Sequence, residues 1–143
     1  MWENRRQLFI DEDLSPRIAG DLRHRGRANA KSIARTAYKG MKDAELLRAL
    51  ASDYPEAVLV TGDDHMPAEH KRVLAETRIT LAVIDPQHPP EYGENEWDFE
   101  VAQRWAHKME QQPKGSVVRY TLAGGRTWTL RRRPGRLRGV RAI

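Results

Sequence analysis

The chain has no cysteine, which excludes disulfides and thiolate-based zinc or iron–sulfur sites. This suits a reducing compartment. Long apolar runs are missing as well. No stretch could span a bilayer, and the opening MWENRRQLF lacks the apolar core of a signal peptide. The cytoplasm is therefore the expected location, with no membrane partner. There are no internal repeats. One region lacks acid altogether: residues 111–143 carry nine Lys or Arg and no Asp or Glu, whereas residues 1–110 hold the other 16 basic residues and all 20 acidic ones. The overall charge of +5 thus divides into a mildly acidic body and a basic end. Such an end commonly attracts a polyanion, nucleic acid being the usual one; the alternative is a solvated or partner-bound tail.

What is present suffices for one domain. The chain has 143 residues, 39% of them hydrophobic and 31% charged, ordinary values for a soluble globular protein. Three short apolar runs, Leu8–Ile10, Val58–Val60 and Leu81–Ile84, do not alternate with polar residues. Runs of that kind are buried on both faces, as in a parallel sheet covered by helices. Helical patterns lie between them. Leu14, Ile18 and Leu22 recur every four residues, with Ser15 as N-cap, Pro16 in the first turn and Gly26 at the stop. A second helix follows Asp43 and carries Leu46, Leu47 and Leu50, and a third begins near Pro67. Residues 28–34 give a weak strand pattern. A long helix with Trp97, Val101, Trp105 and Met109 on one stripe follows the DPQHPPEYGEN loop. After it, Val118, Tyr120 and Leu122, then Trp128 and Leu130, read as a β-hairpin. The tryptophans, Trp2 among them, suit core packing better than a homodimer interface. The pattern predicts a three-layer α/β/α fold with a central parallel sheet. Residues 1–90 form its core, and residues 91–143 add a helix, a hairpin and a basic tail packed on the same domain.

Each apolar run ends in an acid: Asp11 directly, Asp63 after Thr61 and Gly62, and Asp85 directly. Open α/β sheets bind ligands outside the carboxyl ends of their strands, so acids from different strands converge in one crevice. Carboxylates gathered there repel one another unless a cation holds them, and hard oxygen ligands suit Mg²⁺ or Mn²⁺. Metal ions so held can activate water and stabilise the leaving oxygen in phosphodiester cleavage. Each acid also has a plainer reading. Asp13 serves a turn, Glu12 points to solvent, Asp43 caps a helix, and Asp63-Asp64 and Asp85-Pro86 are strand-to-helix turns.

The stretches LFIDEDLSPRIAGDLRHRG, KGMKDAELLRAL and AVLVTGDDHM resemble, in that order, the segments of PIN-like domains of the PIN nuclease superfamily. The shared pattern is an apolar strand ending in Asp-Glu-Asn/Asp-Leu, a Leu-Arg-x-x-Gly helix end, an Asp opening a mid-chain helix, and a strand ending in Thr-x-Asp. It covers about residues 7–70. The resemblance implies a metal-dependent ribonuclease, of a kind that often serves as the toxin of a toxin–antitoxin pair. It makes Asp11, Asp43 and Asp63 the catalytic metal ligands for Mg²⁺ or Mn²⁺, with Asp13 as a further candidate. Thr61 would orient Asp63, and Ser15 would start the supporting helix. Relatives commonly read Thr-x-Asp-x-Asp-Phe, whereas here His65 and Met66 stand in the last two places. Asp64 then takes the missing ligand position, or one metal is bound, or catalysis is lost. RNA is the expected substrate, held by Arg131, Arg132, Arg133, Arg136 and Arg138, with an antitoxin as protein partner. The competing readings are a degenerate PIN-like module that binds RNA or protein without cutting, and a receiver-like phospho-acceptor regulator. The latter lacks a clear lysine after a fifth strand.

Overall fold

The computed structural model describes residues 5–131 and 139–142, and the side-chain surroundings of residues 5–127. Each apolar run becomes a strand: β1 is Gln7–Ile10, β3 Val58–Thr61 and β4 Thr80–Ile84. The weak pattern at 28–34 yields β2, Asn29–Ser32. The C-terminal strands are β5 (Val117–Thr121), β6 (Gly124–Arg131) and β7 (Gly139–Ala142). They form one sheet of order β2-β1-β3-β4-β5-β6-β7. Pairing is parallel from β2 to β5 and antiparallel between β5, β6 and β7. The predicted hairpin continues this sheet. Its first strand is the fifth parallel strand, and residue 90 marks no break in the sheet.

The helices are α1 (Arg17–His24), α2 (Asp43–Asp53), α3 (Met66–Glu69), α4 (Lys71–Thr77) and α5 (Glu94–Glu110). The strands bury alternate residues on opposite faces, which explains why their sequences do not alternate in polarity. Leu8, Ile10, Val58 and Val60 pack with Leu14, Ile18 and Leu22 of the first helical segment and Val101 and Met109 of α5. Phe9, Leu59, Leu81 and Val83 pack with Leu46, Leu47 and Leu50 of α2 and Leu74 of α4. Helices on both faces of a mostly parallel sheet make the three-layer α/β arrangement.

Local details depart from the sequence reading in three places. The N-cap of α1 is Pro16 rather than Ser15, though Ser15 Oγ still accepts the Arg17 N–H at 3.3 Å. Asp43 is not a cap. Lys42 holds that position, and Asp43 is the first helical residue, where a carboxylate favours the positive end of the helix dipole. The single helix predicted near Pro67 is split at His70, whose backbone (φ −122°, ψ 28°) leaves the helical region.

The aromatic residues mostly serve the core. Trp97 is buried and donates its indole N–H to the Asp85 carbonyl at 2.7 Å. Trp105 donates to Thr121 O at 2.6 Å, and Tyr120 donates its hydroxyl to Gln112 Oε1 at 2.9 Å beneath the sheet. Trp2 lies outside the described residues, as does the side chain of Trp128. No described helix is long and apolar enough to cross a membrane.

Candidate functional site

Strand order turns back between β1 and β3, and an open α/β sheet leaves its crevice at such a point. Asp11 is the first residue past β1. Its N–H still donates to Val60 O at 2.8 Å, so the sheet ladder fixes it beside Thr61, the last residue of β3. Both are buried, Thr61 completely and Asp11 to 7% exposure. Thr61 Oγ1 donates to Asp11 Oδ2 at 2.9 Å, and the Glu12 N–H donates to Asp11 Oδ1 at 2.8 Å. Glu12 is not idle in solvent: its Oε1 accepts the Gly40 N–H at 2.6 Å, tying the loop before α2 to the end of β1.

Asp13 keeps much of its surface in water but turns its carboxyl group inward. The Gly62 N–H donates to its Oδ2 at 3.1 Å, and its oxygens stand 3.4 and 3.5 Å from Thr61 Oγ1. The threonine hydroxyl has a single proton, and Asp11 takes it at the shorter distance. The contact with Asp13 therefore becomes a good hydrogen bond only when Asp13 itself carries a proton. Desolvation, followed by the charge of Asp11, pushes Asp13 up to about 7; Asp63 and Asp98 add to this and the Gly62 N–H opposes it. Asp11 is also raised. Desolvation is the main cause, the bonds from Thr61 and Glu12 oppose it, and like charge on Asp43 and Glu12 is the lesser contribution. Burial outweighs the crowding of carboxylates at this acid.

Gly62 makes the close approach possible. A Cβ there would lie 3.0 Å from Leu14 Cδ2 and 3.3 Å from Asp13 Oδ2. Gly62→Ala is expected to displace Asp13 and to cost about 1–3 kcal/mol, the usual range for overpacking. Denaturant unfolding measures this, and wild-type stability would show that Leu14 and Asp13 yield without cost.

The remaining acids stand around this pair in different states. Asp63 Oδ1 accepts the His65 N–H at 2.9 Å, and the Asp63 N–H donates to Thr61 Oγ1 at 3.1 Å. Thr61 thus orients Asp11 by its hydroxyl proton, and meets Asp63 through the backbone rather than the carboxylate. Asp43 lies 3.6 Å from His70 Nε2. Asp64 is engaged by Arg119, which donates to its Oδ2 at 2.8 Å. The same guanidinium stands 3.7 Å from Asp85 Oδ2, while Asp85 Oδ1 accepts the Gln87 N–H in a turn. Arg119 therefore has acids to balance it, unlike the uncompensated basic surface expected of the C-terminal segment. His65 carries its ring out to solvent, and the buried Met66 fills the core position that the resemblance gives to Phe. Of the arginines expected to hold RNA, Arg131 ends β6 with its side chain undescribed. Arg132, Arg133, Arg136 and Arg138 lie outside the described residues.

One acid escaped the sequence reading. Asp98 on α5 is 7% exposed and acts on Asp13 as a like charge. Desolvation, then the charge of Glu94, raises it to about 6, with His88 pulling the other way. It shares a helical stripe with Ala102 and Trp105, at spacings of four and seven, and that spacing was its available signal.

Carboxylate oxygens suit Mg²⁺ or Mn²⁺. Among the described residues, no three Asp, Glu or His side chains are grouped closely enough to hold one ion together. Asp11 and Asp13, joined through Thr61, nevertheless fit the lesser demand of Mg²⁺. One or two carboxylates commonly hold that ion, with waters and substrate phosphates completing its shell. Neither a family model, nor a curated protein, nor a solved structure matches the chain.

Proposed function

We propose that the protein is a PIN-like endoribonuclease dependent on Mg²⁺ or Mn²⁺, acting as the toxin of a toxin–antitoxin pair. The observation that carries this reading is the Asp11–Thr61–Asp13 arrangement at the turning point of the sheet, where two inward carboxyl groups share one buried hydroxyl. The order of the resembling segments supports it. Asp11 and Asp13 would hold the metal, and Asp43, Asp63 and Asp98 would keep the surroundings negative. When bound, a divalent cation supplies Lewis acidity and an ionised water near neutral pH. Thr61 and the Glu12 N–H hold the Asp11 carboxylate in one orientation. The basic C-terminal end would bind RNA phosphates, and each arginine contact with a single strand adds about 0.7 to the salt slope. Alanine at Arg132, Arg133, Arg136 and Arg138 together should flatten that slope by more than one. An unchanged slope would give the segment another task, such as docking an acidic antitoxin.

The test is incubation of the pure protein with total RNA in Mn²⁺, Mg²⁺ or EDTA. Metal-dependent fragments are the expected result. RNA that is bound but left intact with either metal would favour the degenerate PIN-like module instead.

The sheet itself favours a second reading. The order β2-β1-β3-β4-β5 with parallel pairing is also that of flavodoxin-like and receiver proteins. A receiver-like regulator would phosphorylate an acid after β3, here Asp63. Against this, Leu122-Ala123-Gly124 follows β5, with no lysine. A mass increase of one phosphoryl group from a small phosphodonor, lost in Asp63→Asn, would establish it.

A further inference from the structure

A groove of about 530 Å³ runs between α1 and the outer strand β2, on the side of β1 away from the sheet's turning point. Its lining includes Arg17, Arg23, Lys31 and Arg35, against one acid, Asp21. Arg23 is partly engaged, donating to Asn29 Oδ1 at 2.9 Å. The deciding feature is Ser32, also on the lining. It is 1% exposed, and its hydroxyl has no hydrogen-bond partner among the described residues. A buried hydroxyl left without a partner loses its hydration and gains nothing in return, so native structures nearly always satisfy one. A ligand oxygen in the groove would do so.

Charge selects the ligand class. Cationic side chains on the same lining as an unpartnered hydroxyl match a phosphate group, which accepts from arginine forks and from serine alike. Position selects its source. Ser32 is the register partner of Ile10, the residue before Asp11, so this end of the groove lies one strand over from the strand end that carries the candidate metal ligand. A strand of RNA leaving this end of the groove would have one strand to cross to reach the end of β1 and its acids. An added peptide strand fits less well, because β2 is four residues long and carries Lys31 in its middle, two devices that discourage edge pairing.

We infer that the α1–β2 groove binds backbone phosphates of single-stranded RNA through Arg17, Arg35 and the Ser32 hydroxyl, and feeds the strand towards Asp11. The direction of feeding rests on the ribonuclease reading; the binding does not. The test is fluorescence anisotropy of a labelled single-stranded RNA decamer in EDTA, using the full chain, with cleavage in Mn²⁺ measured separately. Arg17→Ala with Arg35→Ala should weaken binding at least tenfold and lower the salt slope by about 1.4, two single-strand phosphates. Both arginines are exposed, so the fold should be unaffected. Ser32→Ala should weaken binding several-fold at an unchanged salt slope, since it removes a neutral donor. Inorganic phosphate at tens of millimolar should compete with RNA on the wild type more than sodium chloride of equal ionic strength does.

Unchanged RNA affinity in the double arginine variant would overturn the proposal, even if metal-dependent cleavage is intact. Loss of RNA affinity in that variant, with no cleavage by the wild type, would sustain the groove and remove the nuclease. An acidic peptide bound by the wild type and lost in the double variant, with RNA binding unaltered, would assign the groove to a protein partner instead.

Discussion

Asp11→Asn is expected to lower metal-dependent RNA cleavage by more than about 100-fold while leaving the melting temperature unchanged or slightly higher. The first part follows from its place: Asp11 is the buried member of the pair at the sheet's turning point, and even outer partners of metal ligands cost 10- to 100-fold when removed. The second part follows from its bonds. An asparagine oxygen can keep the Glu12 N–H, and its amide can donate to Thr61 Oγ1, which then frees its own proton for Asp13. A buried charge that repels Asp13 and Asp43 disappears at the same time. RNA cleaved at the wild-type rate would remove Asp11 from the site. A melting temperature lower by more than a few degrees would show that its role is structural. The same preparation should bind the RNA decamer in EDTA as tightly as the wild type, which separates chemistry from affinity.

The sheet was legible in the sequence because its central strands are buried on both faces. Leu8–Ile10, Val58–Val60 and Leu81–Ile84 have no polar alternation, and only a covered sheet accommodates three such runs. β2 was faint because it lies at the edge, where Lys31 and Asn29 meet solvent and break the apolar run. The hairpin was read correctly as a hairpin, yet alternation in Val118, Tyr120 and Leu122 could not say that β5 also pairs with β4. Pairing between segments more than thirty positions apart leaves no local trace.

The site divides in the same way. Asp11 and Thr61 stand at strand ends, and strand ends are visible. Arg119, which ties up Asp64 and Asp85, read as one more basic residue of the C-terminal end. Ser32 offered nothing in sequence, since a lone serine says nothing of whether its hydroxyl is satisfied.

Metal and pH should act together on stability, with an unusual sign. Asp13 is pushed up to about 7 in the folded chain and Asp98 to about 6, with Asp11 also raised, chiefly by burial. The unfolded chain loses these protons near the ordinary aspartate value of about 3.9. Between roughly pH 4 and 7 the folded state therefore binds more protons than the unfolded one. Stability then falls as pH rises through that window, the reverse of a salt-bridged carboxylate. Metal-free protein should melt higher at pH 5 than at pH 7.5, by an amount that solvent access to Asp13 keeps modest. Divalent cation reverses the trend, because it binds the ionised carboxylates and must displace their protons. Mn²⁺ at a hundred times its dissociation constant should add about 2.7 kcal/mol above pH 7. That gain should shrink below pH 6, where Asp13 holds its proton. Melts at pH 5, 6, 7 and 8, each with EDTA or millimolar Mn²⁺, give both slopes. Asp13→Asn should flatten the metal-free slope and remove most of the Mn²⁺ gain together, which assigns both effects to Asp13. A Mn²⁺ gain that does not vary with pH would mean that the carboxyl pair around Thr61 does not hold the metal. An EDTA series rising from pH 5 to 7.5 would mean that burial does not raise those carboxyl groups.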